Sequence, residues 1–101
     1  MPLTSKNLEK LQAQLPDYAM PDLMFEVASA TASLDALRQK IQEFLMLGTV
    51  IGVLVDPRIR RVEVMRASQA MEILGDGDTL VLPKLLPGWE LEIASIWAPV
   101  F

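Results

Sequence analysis

The chain has 101 residues, near the commonest size of a single domain, and 51% of them are hydrophobic against 22% charged, which excludes a disordered chain. It contains no cysteine and no histidine, so disulfides, thiolate metal sites, a cysteine nucleophile and the commonest general base are all excluded. Chemistry is left to carboxylates, lysine, hydroxyls or a hard cation held by oxygen, and a net charge of −4 argues against coating nucleic acid through the overall field.

The first predicted element is a short amphipathic helix in LTSKNLEKLQAQLP, capped by Thr4 or Ser5, with Leu8, Leu11 and Leu15 at helical spacing and Pro16 as its stop. PDYAMP is a linker with a proline at each end, and LMFEVAS after it has the bulky apolar content of a strand. ATA is a loop, and Ser33 is placed to cap the clearest helix in the chain, LDALRQKIQEFLML. There Leu34, Leu37, Ile41, Phe44 and Leu45 share one stripe while Asp35, Gln39, Gln42 and Glu43 lie opposite, and Gly48 stands at the C′ stop.

VIGVLV runs apolar without alternation, the pattern of a strand buried on both faces. DPRIR turns the chain into RVEVMR, read as a more exposed strand paired antiparallel with the one before. AMEIL reads as a third strand of the same meander and GDGD as a turn. The remainder, TLVLPKLLPGWELEIASIWAPVF, reads as short strands and turns covering an edge, with Trp89 and Trp97 packing that cover on the core. The order predicts an α/β or mixed α+β chain, one domain over residues 1–101, with one central amphipathic helix packed on a mixed sheet. No apolar run approaches a membrane span and MPLTSKNLEK lacks a signal-like core, so the cytoplasm is the expected compartment.

Four pieces in this order, PDLMFEVAS, LRQKIQEFLMLG, VLVDPRIRRVEVMR and LPGWELEIASIW, resemble a large family of restriction-endonuclease-like proteins of unassigned target within the PD-(D/E)xK nuclease superfamily. The resemblance covers about residues 17 to 97 and implies a restriction-endonuclease-like core. It implies that Glu26, the acid of the E-V-x-S strand, binds a divalent metal such as Mg²⁺. The superfamily's lysine normally lies two residues after that acid, where this chain has Ala28. The family's version on the following helix implies Lys40 as the catalytic lysine beside Glu26, with Phe44 as its aromatic. Ser29 matches the serine of E-V-x-S and is implied as a phosphate contact.

Geometry agrees with that placement. Met24, Glu26 and Ala28 share one strand face, and at 100° per residue Lys40 falls between Phe44 and Leu47 on the margin of the apolar stripe. A lysine there runs its methylenes along apolar surface and presents its ammonium beside a strand carboxylate. The plainer reading of Lys40 is a flank lysine with no chemistry, and of Ser29 a turn residue.

The family's first metal ligand is an aspartate on a strand upstream of Glu26, and no such strand precedes it here. The chain therefore resembles the C-terminal portion of the family's domain. Asp22 shares the Glu26 face, but four extended residues span roughly 13 Å, too far for one Mg²⁺ to bridge both, so Asp22 is read as a strand-entry residue.

Arg58, Arg60, Arg61 and Arg66 concentrate four of the nine basic residues in one hairpin. Such a patch can contact a phosphate backbone, and it also suits a solvated edge hairpin interleaved with Glu63. Asp56 with Pro57 reads as a turn, and neither tryptophan has a basic setting suited to base stacking. Two functions follow. The first is a metal-dependent endonuclease acting on DNA, with an incomplete site that borrows a carboxylate. The second is a non-catalytic nuclease-fold remnant, without a cofactor, that acts as a self-associating binding module. Under either, an unpaired sheet edge predicts a homodimer or higher oligomer.

Overall fold

The computed structural model describes residues 20–97. The helix expected at the start of the chain lies outside them. The elements run β1 (Leu23–Val27), α1 (Leu34–Met46), β2 (Ile51–Asp56), β3 (Arg61–Arg66), β4 (Glu72–Leu74), β5 (Thr79–Val81), β6 (Glu90–Glu92) and α2 (Ile93–Ile96). β1 to β4 form one mixed sheet in sequence order, β1 parallel to β2 and the next two pairs antiparallel, while β5 and β6 form a separate antiparallel pair. The expected mixed α+β layer is therefore present, with α1 packed on the sheet.

α1 begins where the sequence places it. Ser33 is extended, and its side chain accepts a hydrogen bond from the Ala36 N–H at 3.2 Å, satisfying a donor that the first helical turn leaves free. Replacing Ser33 with alanine is expected to lower stability by about 1 kcal/mol in urea denaturation, and an unchanged midpoint would show the cap contributes nothing. At the other end Gly48 has φ +120, a conformation that a side chain at this C′ position strains. Asp22 is the strand-entry residue, its carbonyl accepting from the N–H groups of Val50 and Ile51.

Two cores lie on opposite faces of the sheet. Met24 of β1, Leu54 of β2 and Met65 of β3 pack against Ile41 and Leu45 of α1. On the other face Val53, Val62, Val64 and Leu74 pack against Leu80, Leu82 and Ile93. The C-terminal segment thus covers a face of the sheet and not the expected edge, because its alternating Leu80 and Leu82 point the same way as Ile93. Trp89 and Trp97 pack on this core as expected. α2 was not foreseen, being a single turn.

β3 departs furthest from expectation. Its interior residues Val62 to Met65 are all buried. The acid in RVEVMR suggests an exposed strand, yet β3 is internal, with β2 on one side and β4 on the other. Glu63 is buried because cations cover it, as described below.

Candidate site at the β1 and α1 junction

Two rows across the sheet set the position of α1. In the first, Met24, Gly52 and Met65 are aligned on β1, β2 and β3. Ile41 sits over Gly52 between the two methionines, and a Cβ added at Gly52 would overlap an Ile41 methyl. In the second row Glu26, Leu54 and Glu63 are aligned. α1 runs above Leu54 and carries one cation toward each flank. Lys40 reaches Glu26 on β1, with Nζ 2.6 Å from Oε1. Arg38 reaches Glu63 on β3, its Nε and Nη2 donating to the two carboxylate oxygens at 2.8 and 2.7 Å.

These two pairs look alike in sequence and differ physically. The Glu63 side chain is 3% exposed and Arg61 adds a third bond at 3.0 Å. The Arg38 hydrogen bond holds the Glu63 carboxyl below the usual carboxylate range, against the opposing effect of burial, and Glu63 in turn raises Arg38. That carboxylate is saturated and enclosed, a structural tie. Glu26 is 20% exposed and Lys40 40% exposed, and among the described residues Lys40 is its one charged partner. With one carboxylate oxygen outside this contact and both side chains partly exposed, the pair has the capacity to engage a phosphate or water.

Asp56, Arg58 and Arg61 lie toward the end of β2 near the Glu26 row and Arg66 at the opposite end of the sheet, and the charges of all of them are already matched. Asp56 is buried at the end of β2, and Arg58 donates to it through Nε at 3.0 Å and through its backbone N–H at 3.1 Å. The Arg58 side-chain bond holds the Asp56 carboxyl low. Arg58 Nη1 also donates to the carbonyls of Ala30 and Ala32, pinning the loop that follows exposed Ser29. The Asp56–Pro57 turn is present, but Asp56 is also a buried ion-pair member, which the sequence pattern did not reveal. Arg60 pairs with Asp76, Arg61 with Glu63 and Arg66 with Glu72. The four arginines of this hairpin are thus each matched by a carboxylate.

Trp97 has a basic neighbour that its sequence setting does not show. The Arg60 guanidinium lies 6.0 Å from the Trp97 ring centre, and Asp76 accepts from both Arg60 Nε and Trp97 Nε1 at 2.9 Å. The two residues are far apart in sequence, so composition along the chain gives no sign of the contact.

Restriction-endonuclease-like families generally use a divalent metal, and the donor set tests whether these residues fit one. Among the described residues no group of three or more His, Cys, Asp or Glu side chains could hold a metal ion. Glu26 offers one carboxylate already bound to an ammonium, whereas Mg²⁺ sites use one or two carboxylates plus waters and substrate phosphates. The described residues of one chain do not fit a resident cation. A cleft of about 470 Å³, lined in part by Leu45, Thr49, Ile51, Arg66 and Pro83, lies at the start of β2 and is separate from the Glu26 row at Leu54. No described helix is long and apolar enough to cross a membrane.

Comparison with known proteins agrees with the fold. A family model described as "Putative restriction endonuclease" matches residues 3–94. A solved structure from Anabaena variabilis ATCC 29413, titled as a putative nuclease, superposes with a TM-score of 0.74 at 26% identity, covering 79% of this chain. The match spans 45% of that protein's chain, so this sequence corresponds to less than half of its length. No curated protein matches.

Proposed function

The chain belongs to the restriction-endonuclease-like family whose model matches it from residue 3 to residue 94, and on that premise we propose that it carries part of a phosphodiester-hydrolysing site centred on Glu26 and Lys40. The observation that carries the reading is the 2.6 Å contact between the Lys40 ammonium and the Glu26 carboxylate, formed between a strand and the following helix. In this role Lys40 binds a DNA phosphate and offsets the charge that develops on it, while Glu26 orients the ammonium and an attacking water. Ser29, Arg58, Arg60 and Arg61 lie in this reading where the backbone approaches, and Mg²⁺ is the cation that a completed site would take. Residues 1–101 act as one domain equivalent to part of the longer relatives, in the cytoplasm.

A second reading is favoured by a specific observation, that among the described residues no other carboxylate joins Glu26 in a metal-holding group. In it the chain keeps the nuclease fold without hydrolysis and works as a self-associating binding module.

Calorimetric titration with Mg²⁺ and Mn²⁺, together with plasmid nicking, separates the two. Under the first reading wild-type protein takes up metal and nicks DNA. Glu26→Gln and Lys40→Met each lower nicking on the order of 100-fold, the loss expected when one charge-stabilising group is removed. No heat and no nicking at millimolar metal would sink hydrolysis and leave the binding module.

A further inference from the structure

β1 is an edge strand, with β2 on one side and no strand on the other among the described residues. The inner side is fixed by hydrogen bonds. The Asp22 carbonyl accepts from Ile51, and the Ala28 N–H donates to the Val55 carbonyl. Polar groups of successive strand residues point to opposite sides, so the even-numbered residues face β2. The N–H and C=O groups of Leu23, Phe25 and Val27 therefore point outward along the open edge.

That row is self-complementary. Placed antiparallel to a second copy with Phe25 on a two-fold axis, every outward residue meets an outward residue. Phe25 opposes Phe25 of the partner subunit, and Leu23 opposes Val27 of the partner subunit. Each opposed outward pair exchanges both of its hydrogen bonds. An axis at Met24 or Glu26 still opposes outward groups but keeps two opposed outward positions within β1 instead of three, and the Glu26 axis sets two carboxylates face to face. An axis between residues sets outward against inward groups and loses the ladder.

The side chains agree with the backbone. Phe25 is 48% exposed and Val27 63% exposed, and on the face away from α1 they line a largely apolar groove with Leu91, Ile96 and Trp97, to which the carboxylate-paired Arg58 and Arg60 also contribute. β1 holds none of the usual protections of an edge strand, having no lysine, no proline and no inward charge without a partner. Its one ionised side chain, Glu26, is matched by Lys40 of its own chain and would lie beside neutral Met24 of the partner subunit, so no unmatched charges are opposed. A five-residue edge with two apolar side chains buries less than the roughly 1,200 Å² of a standard interface, so the pairing is reversible and concentration-dependent.

We propose that two copies of this chain pair through β1, antiparallel about a two-fold axis at Phe25, and that the pairing joins their Glu26–Lys40 sites. In this register the two Glu26 residues become diagonal neighbours on one sheet face, roughly 7–8 Å apart at the backbone and within mutual reach of long side chains. A second carboxylate, absent beside Glu26 among the described residues of one chain, is then supplied by the partner subunit. The inference rests on the self-association within the proposed function and not on hydrolysis.

The test uses the full chain. Sedimentation equilibrium should show a monomer–dimer equilibrium. Phe25→Lys and Val27→Lys, both at exposed positions, should each weaken it at least 10-fold while circular dichroism stays unchanged. The absence of native cysteine allows a register test. Phe25→Cys should form a disulfide-linked dimer under mild oxidation, because opposed residues lie about 5.5 Å apart at Cα. Val27→Cys should not, because its counterpart would be about 14 Å away. Since Val27 is the more exposed of the two, random collision would link Val27→Cys at least as fast, and that result would overturn the register. A monomer at every concentration would overturn the pairing and leave nicking by Glu26 and Lys40 unaffected.

Discussion

Replacing Arg38 with methionine is expected to lower the unfolding free energy by about 3 kcal/mol at neutral pH, the scale on which breaking a buried ion pair destabilises a protein. The variant leaves the Glu63 carboxylate enclosed at 3% exposure, held by Arg61 alone after losing a bidentate partner. Removing both members, as in Arg38→Met with Glu63→Leu, should recover much of the loss. Burying apolar groups in place of a charge pair leaves nothing unsatisfied, and the partly exposed Arg61 can turn to solvent. A double variant no more stable than Arg38→Met would show that the single loss does not come from a stranded carboxylate.

The same pair predicts a pH dependence with a definite sign. Glu63 has its folded-state value lowered, chiefly by the Arg38 hydrogen bond. Its stabilisation is therefore complete above the unfolded carboxylate value, about 4.3, and is lost as the pH falls through the lower folded value. Wild-type stability should fall below about pH 4, and Arg38→Met should fall less over that interval. Asp56 is shifted the same way by Arg58 and remains in both proteins, so the difference between the two curves reports the carboxylates that Arg38 pairs with, buried Glu63 and the exposed Asp35, and a Glu63→Gln control assigns the share of Glu63. Urea denaturation at several acid pH values measures it, and parallel curves would contradict the assignment.

Replacing Gly52 with valine is the second large effect, a loss of about 3 kcal/mol. Ile41 is fully buried, and a Cβ at position 52 would occupy the space of its methyl. Isoleucine in a helix has one strongly preferred rotamer, so the overlap is relieved by lifting α1 and not by turning a side chain. Gly52→Val gains some strand preference, but the displaced helix outweighs it. Moving the bulk from helix to strand, with Gly52→Val and Ile41→Ala together, should destabilise by less than the sum of the two single changes. Strict additivity would mean that Ile41 does not seat in the gap over Gly52. The lifted helix would also carry Lys40 away from Glu26, so the spacing at the candidate site depends on a glycine that touches neither residue.

The two pairs on α1 mark how far residue order alone reaches. Lys40 beside Glu26 is legible through the family resemblance, with which the local periods agree: the helical angle puts Lys40 on a flank, and the strand alternation puts Glu26 on one face of β1. The burial of Glu63 is not legible, because RVEVMR says nothing of where β3 stands in the sheet or of Arg38 waiting on the helix above it. The arginine hairpin shows the same limit. Its concentration of charge is plain in the sequence, whereas its partners Asp76 and Glu72 come from later turns that only the fold brings near. Gly52 reads as one residue in an apolar run, and the reason no side chain is tolerated there lies in α1. The C-terminal segment was legible as short strands and turns, but which surface it covers depends on Ile93 docking from the far side.

The sequential order of the sheet also bears on how the molecule assembles. β2, β3 and β4 are joined by short turns, so each pairing closes a small loop at low entropic cost. β1 is different: its parallel register, Leu23 with Ile51, closes over the whole of α1. Local contacts form before distant ones, so the meander is the natural nucleus and β1 is its late recruit, drawn in once α1 has landed on Gly52 and Leu54. Glu26 meets Lys40 only at that closing step. The junction where the candidate chemistry lies is thus expected to close late, because it depends on a contact across the whole of α1 and not on a turn.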